Sequence, residues 1–209
     1  MILFDLNGTL TNPSAIGGAW DRPELGAEVL ALAVQTAMVD TILEASRSFS
    51  EHIESALRHK VREHGLDPAP IDRALEMAAA LPPFDDAAAA LDELAGAGHR
   101  LAVLTNSGAE DGRRTLQANG LADRFTRILG VDAVGAFKPH PATYRYALDE
   151  LGCDAGEVTF VAAHGWDLAG AAHAGMRTAL VLRGGPPPTA YPQPDIEGAD
   201  LAAVAAAVG

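Results

Sequence analysis

Several things are scarce in this chain. Only one of its 209 residues is cysteine, so no intrachain disulfide can form. That residue, Cys153, has no paired histidine pattern around it; it reads as a structural thiol and fits a reducing cytoplasm, the expected location. Phe, Trp and Tyr together make up 5% of the chain. The core must therefore be built from Leu, Val and Ala on closely packed helices. Basic residues are outnumbered, 15 Lys and Arg against 28 Asp and Glu, for a formal net charge of −13. A field of that sign repels polyanions, which excludes nucleic acid and anionic membrane as expected partners. A small anionic organic substrate stays possible, because one Lys or Arg overrides the mean field within a single pocket. No uninterrupted apolar run approaches the length of a membrane span. The opening MILFDLNGTL carries neither a basic segment nor a cleavage site, so no signal peptide is expected.

What is present is a hydrophobic fraction of 48% with 21% charged residues, enough for a globular core. Short apolar runs alternate with helical patterns. Met1–Leu6, Arg100–Thr105, Arg127–Val131, Val158–Ala163 and Thr178–Arg183 read as strands buried on both faces, rich in Val, Leu, Ile and Phe without polar alternation. Between them, Asp86–Ala97, Ala109–Asn119, Pro141–Leu151 and Asp167–Ala174 read as helices, punctuated by Gly98, Gly120, Gly152 and Gly175. Such alternation predicts a parallel sheet covered by helices on both faces, an α/β fold. From Ser14 to Leu81 the rhythm stops. Only helical patterns appear there, near Pro23–Ala45, Ser50–His64 and Pro70–Ala80, and Pro82-Pro83 closes the segment. The reading is a Rossmann-like core of residues 1–13 and 83–209 with an inserted all-helical cap, residues 14–82. Gly184–Pro194 reads as a proline-rich extended surface segment before a last helix. His52, His59 and His64 fall on the cap helices without a ligand cluster.

Open parallel sheets bind ligands beyond the carboxyl ends of their strands, so the polar residues there are the ones to question. The first strand delivers Asp5-Leu6-Asn7-Gly8-Thr9, the second Thr105-Asn106-Ser107-Gly108. Lys138-Pro139 follows the third, and His164-Gly165-Trp166-Asp167 the fourth. A carboxylate, hydroxyl and amide groups, an ammonium and a second carboxylate thus converge. Displacement by a carboxylate needs that set: an ionised Asp, a cation to keep it ionised, and donors for charge that develops on the substrate.

The stretches FDLNGTL, LTNSG, FKPHPATY and VAAHGWDLAGAAHAG, each at a strand end and in this order, resemble the four motifs of the haloacid dehalogenase superfamily over essentially the whole chain. The helical insert lies where that superfamily places its cap. The resemblance implies an Asp5 nucleophile. Phosphatases of the superfamily carry an acid two residues later, for the leaving group; here it is Asn7, which donates no proton at neutral pH. They also place an acid four residues before the last motif's Asp to help hold magnesium; here that residue is Ala163. Both departures point to the type II 2-haloacid dehalogenase branch, which needs no metal or other cofactor. Tyr144 and Trp166-Asp167 match that branch as well.

By resemblance, Asp5 forms an ester with the substrate and water then hydrolyses it. Lys138 keeps Asp5 ionised, while Asp167 holds Lys138 or orients the water. Thr105 and Asn106, with Asn7 and Tyr144, bind substrate. The chain departs from the branch at Ala162 and His164, where Ser and Asn are usual, and His164 stands as donor to substrate or base for water. The cap Arg that grips halide or carboxylate has no counterpart in place; motif spacing puts Ile42 there, with Arg47 further on. Two other readings stay open: a magnesium-dependent small-molecule phosphatase, and a non-catalytic binding module. A homodimer through the cap helices is a further expectation from the family.

Overall fold

The computed structural model describes residues 1–185 and 189–208. Six strands form one parallel sheet: β1 (Ile2–Phe4), β2 (Leu101–Thr105), β3 (Arg127–Gly130), β4 (Thr159–Ala162), β5 (Arg177–Val181) and β6 (Ile196–Gly198), in the order β3-β2-β1-β4-β5-β6. β1 lies at the centre, pairing Leu3 with Ala102 on one side and with Phe160 on the other. Because side chains alternate along a strand, Ile2 and Phe4 enter one core and Leu3 the other. The first core packs Phe4, Val103 and Val161 against α5 (Ala87–Gly96) and α9 (Leu201–Val208). The second packs Leu3, Leu104 and Phe160 against α7 (Pro141–Leu151) and α8 (Gly165–His173). With both faces covered, the central strand β1 is apolar throughout and its neighbour β2 is polar only at Thr105, as the sequence pattern requires. α6 (Ala109–Ala118) joins β2 to β3.

Between β1 and β2 the chain makes only helices: α1 (Ser14–Gly17), α2 (Glu24–Leu43), α3 (Phe49–Glu63) and α4 (Ile71–Ala78). They share a third apolar cluster, to which the core side adds Val131 and Phe137. α3 starts on a capping box in which the Ser48 and Glu51 side chains each take the other's backbone N–H. α2 lies within the helix read at Pro23–Ala45. By length and composition it could cross a membrane. In the fold its buried stripe, Leu25, Val29, Ala33 and Ala37, packs against α1 and α3 instead.

β6 was not expected. Three residues with a polar centre, Ile-Glu-Gly, carry no strand signal by themselves. They become a strand because β5 offers an open edge and Ile196 buries its side chain in the first core. The expected proline-rich segment Gly184–Pro194 falls partly on residues 186–188, outside the described residues. His64 also differs from the reading: it lies with Glu28 and Glu63. The Lys60 ammonium already answers those carboxylates at 3.7 and 2.7 Å.

Candidate active site

Asp5 follows β1 directly, and its position fixes the rest. Lys138 stands between two carboxylates, its Nζ 2.7 Å from Asp5 Oδ1 and 2.6 Å from Asp167 Oδ2. Its third N–H goes to the carbonyl of Leu104, 3.0 Å away. The side chain of Lys138 is 0% exposed. An ammonium in that position is tolerable only because each N–H has an acceptor and two of them are anionic. Its backbone is held too, donating to Asn106 Oδ1 at 2.9 Å.

Asp5 Oδ2 accepts from Thr9 Oγ1 at 2.7 Å, and Thr9 in turn accepts from the backbone N–H of Ala163. Thr9 was not among the sequence candidates. Its signal was there: a hydroxyl four residues after the nucleophile, on the same turn. His164 Nδ1 lies 3.3 Å from Asp5 Oδ2, makes no hydrogen bond, and is buried without another partner. The ring is held by stacking on Trp166, with centroids 5.4 Å apart. It also leans over Gly8, where φ is +88° and a Cβ would come within 2.8 Å of the ring. Glycine is required there for both reasons.

Burial pushes the Asp5 carboxyl up, but the Lys138 ammonium and the nearby His164 ring outweigh it and hold Asp5 well below the usual carboxylate range. Asp167 moves the other way: burial raises it and Lys138 only partly opposes, with Asp5 adding repulsion. Of the two acids sharing one cation, Asp5 is the one whose ionised form is favoured more strongly. Burial lowers Lys138, yet its two carboxylates win and it is raised.

The other candidates are placed as follows. Asn7 donates to Ser107 Oγ at 3.4 Å and accepts from Thr11 Oγ1 at 3.1 Å. Thr105 Oγ1 accepts from the Ser107 N–H. Asn7, Thr105, Asn106, His164 and Trp166 all border the small chamber above Asp5, closed by Leu30, Val34 and Phe49. Tyr144 does not reach it. The sequence reading gave Tyr144 a place on the substrate; the structure puts it wholly inside the core, donating to Asp167 Oδ1 at 2.6 Å and packed on Gly170, where a Cβ would meet its ring at 2.5 Å. Tyr144 positions Asp167. Neither cap position named from motif spacing faces the chamber. Ile42 is 79% exposed near the end of α2, and Arg47 pairs with the buried Asp40. The wall residues from α2 are Leu30 and Val34.

Residues 1–175 match the haloacid dehalogenase-like hydrolase family. The chain belongs to that family. An (S)-2-haloacid dehalogenase of Pseudomonas sp. (strain YL) is 34% identical over 192 residues, covering 88% of this chain and 83% of the relative. One from Xanthobacter autotrophicus is 35% identical over 192 residues, with 87% and 74% covered. A crystal structure of a dehalogenase superposes with a TM-score of 0.90 at 27% identity, covering 97% of this chain and 94% of the other.

Within the haloacid dehalogenase-like hydrolases, magnesium is the group to test against these donors. A hard divalent cation wants several free oxygens. Here Asp5 is engaged by Lys138 and Thr9, Asp167 by Lys138 and Tyr144, and the Asn7 carbonyl by Thr11. Position 163 offers a methyl group. The set does not fit such an ion, since a buried ammonium already holds the centre.

Tyr144→Phe tests the positioning role. It leaves Asp167 Oδ1 buried and short of its hydroxyl partner, at a cost of about 1–3 kcal/mol. Urea unfolding should show that loss while KM stays close to wild type. A raised KM with full stability would mean that Tyr144 touches substrate.

Proposed function

We propose that this hydrolase cleaves the carbon–halogen bond of a 2-haloacid through an ester on Asp5. One observation carries the reading: Asp5 is kept ionised inside the protein by Lys138 and Thr9, while the position where phosphoryl transfer needs an acid holds the amide of Asn7. A halide leaves as an anion and needs no proton. Similarity to (S)-2-haloacid dehalogenases supports the same chemistry.

In the first step an Asp5 oxygen bonds to the carbon bearing the halogen, and that carbon's bonding pair departs with the halide. In the second, water adds to Cγ of Asp5; the 2-hydroxy acid leaves with the former Asp5 oxygen, and the carboxylate is restored. Both oxygens of Asp167 are committed and its side chain is fully buried, so it keeps Lys138 in place. The water's proton goes to His164, whose Nδ1 is unpartnered beside Asp5 and whose ring also borders a larger cleft leading outward. Thr105 and the Asn106 amide nitrogen take the substrate carboxylate; the Asn106 carbonyl is occupied by Lys138. Asn7 lies opposite.

The chamber has about 10 Å³ of free space, room for about one water. Admitting an acid requires Leu30, Val34 and Phe49 to draw back, so residues 14–82 act as a cap that excludes bulk water once substrate is bound. A panel of chloro-, bromo- and fluoroacetate and 2-halopropionates, run with and without chelator, tests the reading. Halide should appear equally in both. No halide from any acid, together with chelator-sensitive turnover of an aryl phosphate, would make the protein a phosphatase.

A further inference from the structure

Two clefts share walls with the chamber above Asp5, and they differ in charge. The smaller, about 350 Å³, meets it at Asn7, Leu30 and Phe49 and sets Glu51, Glu54 and Asp111 against a single guanidinium, Arg114. The larger, about 920 Å³, meets it at Leu30, Val34, His164 and Trp166. Among the described residues, no Asp or Glu lines it, on a chain whose net charge is −13. Arg183 does line it, with its charge answered by Asp86 at 2.7 Å. An organic anion is therefore repelled from one side and meets a near-neutral surface on the other.

That surface is apolar. Leu30, Ala31, Val34 and Met38 present one face of α2, with Phe84 and Trp166 also in its walls. Its volume lies within the range of about 300–1,000 Å³ usual for ligand sites, far more than the side group of the smallest haloacids could fill. We propose that the larger cleft holds the hydrocarbon tail of the substrate, so that the preferred 2-haloacid is an extended, apolar one whose halogen-bearing carbon passes His164 to reach Asp5. The proposal rests on the dehalogenase reading of Asp5 and adds the class of acid.

The experiment measures kcat/KM for halide release along a series from 2-bromopropionate through 2-bromobutyrate and 2-bromohexanoate to 2-bromooctanoate. Wild type should climb by roughly fourfold for each methylene buried. Ala31→Trp and Gln35→Trp, both exposed on α2 and lining only the larger cleft, should flatten that climb. Ala79→Trp, which lines only the acidic cleft, should preserve it. Thermal melts check that each variant is folded. A flat or falling series in a wild type that still turns over 2-bromopropionate overturns the tail site and spares the dehalogenase reading. So does a climb that survives both α2 variants and vanishes in Ala79→Trp. No halide from any acid overturns the reading beneath it.

Discussion

Asp5→Asn abolishes halide release, by roughly 10⁴-fold or more if the residue bonds to substrate, while leaving the protein folded. The amide oxygen is a poor nucleophile, and no other carboxylate can replace it, since Asp167 is committed to Lys138 and Tyr144. The stability result is as informative as the kinetic one. In wild type, one ammonium serves two buried carboxylates. Removing Asp5 leaves a balanced pair, Lys138 with Asp167, so the denaturant midpoint should hold or rise, the usual trade of stability for activity at a strained site. A lower midpoint with only modest loss of turnover would mark Asp5 as structural. The ester itself has a signature. In water enriched in heavy oxygen, a single turnover should leave the label on Asp5 and not in the hydroxy acid, because water adds to Cγ. Label found directly in the product would overturn the covalent route.

The second large effect is expected at Lys138. Lys138→Met keeps the length of the side chain and removes the only cation between Asp5 and Asp167. A buried charge stripped of its partner costs about 3–5 kcal/mol, and here two acids face each other. At least one must take a proton to remain inside, which raises carboxyl pKa values in the folded state. The sign follows: a raised carboxyl favours the folded form at low pH, so this variant should lose stability as pH rises above the ordinary Asp value of 3.8. Wild type behaves oppositely at Asp5. Its lowered carboxyl contributes stability above pH 3.8 that is lost as pH falls through the folded value, and raised Lys138 contributes stability below 10.5 that is lost as pH rises through its own. Urea midpoints of both proteins across pH 4 to 8 check this, and parallel curves would refute it. Turnover should be lost at neutral pH, since nothing then holds Asp5 ionised.

The residues that the fold gathers around Asp5 were legible because most sit at or just past the end of an apolar run. Asp5, Thr105 and His164 are placed by the strands before them, and a parallel sheet brings such ends together whatever its details. Lys138 was legible from its motif, although its reach to Asp5 depends on a loop. The centre of the sheet and the helical insert could be read from period and composition alone, because strands covered on both faces have nowhere to put polar residues.

Tertiary packing decided what pattern could not. Tyr144 was placed on the substrate, yet whether a helical side chain points to a cleft or away from it depends on the neighbouring helix. Gly170 of α8 leaves the space into which its ring fits. β6 exists because β5 had an unfilled edge, a fact about a neighbour and not about Ile-Glu-Gly. Thr9 gained its role from a hydrogen bond that closes only once β4 brings Ala163 alongside. Chemistry at strand ends is written locally, in residue type and distance along the chain. Which side chains share a proton, a wall or a cavity depends on three-dimensional neighbours far apart in sequence, and that was settled only by folding.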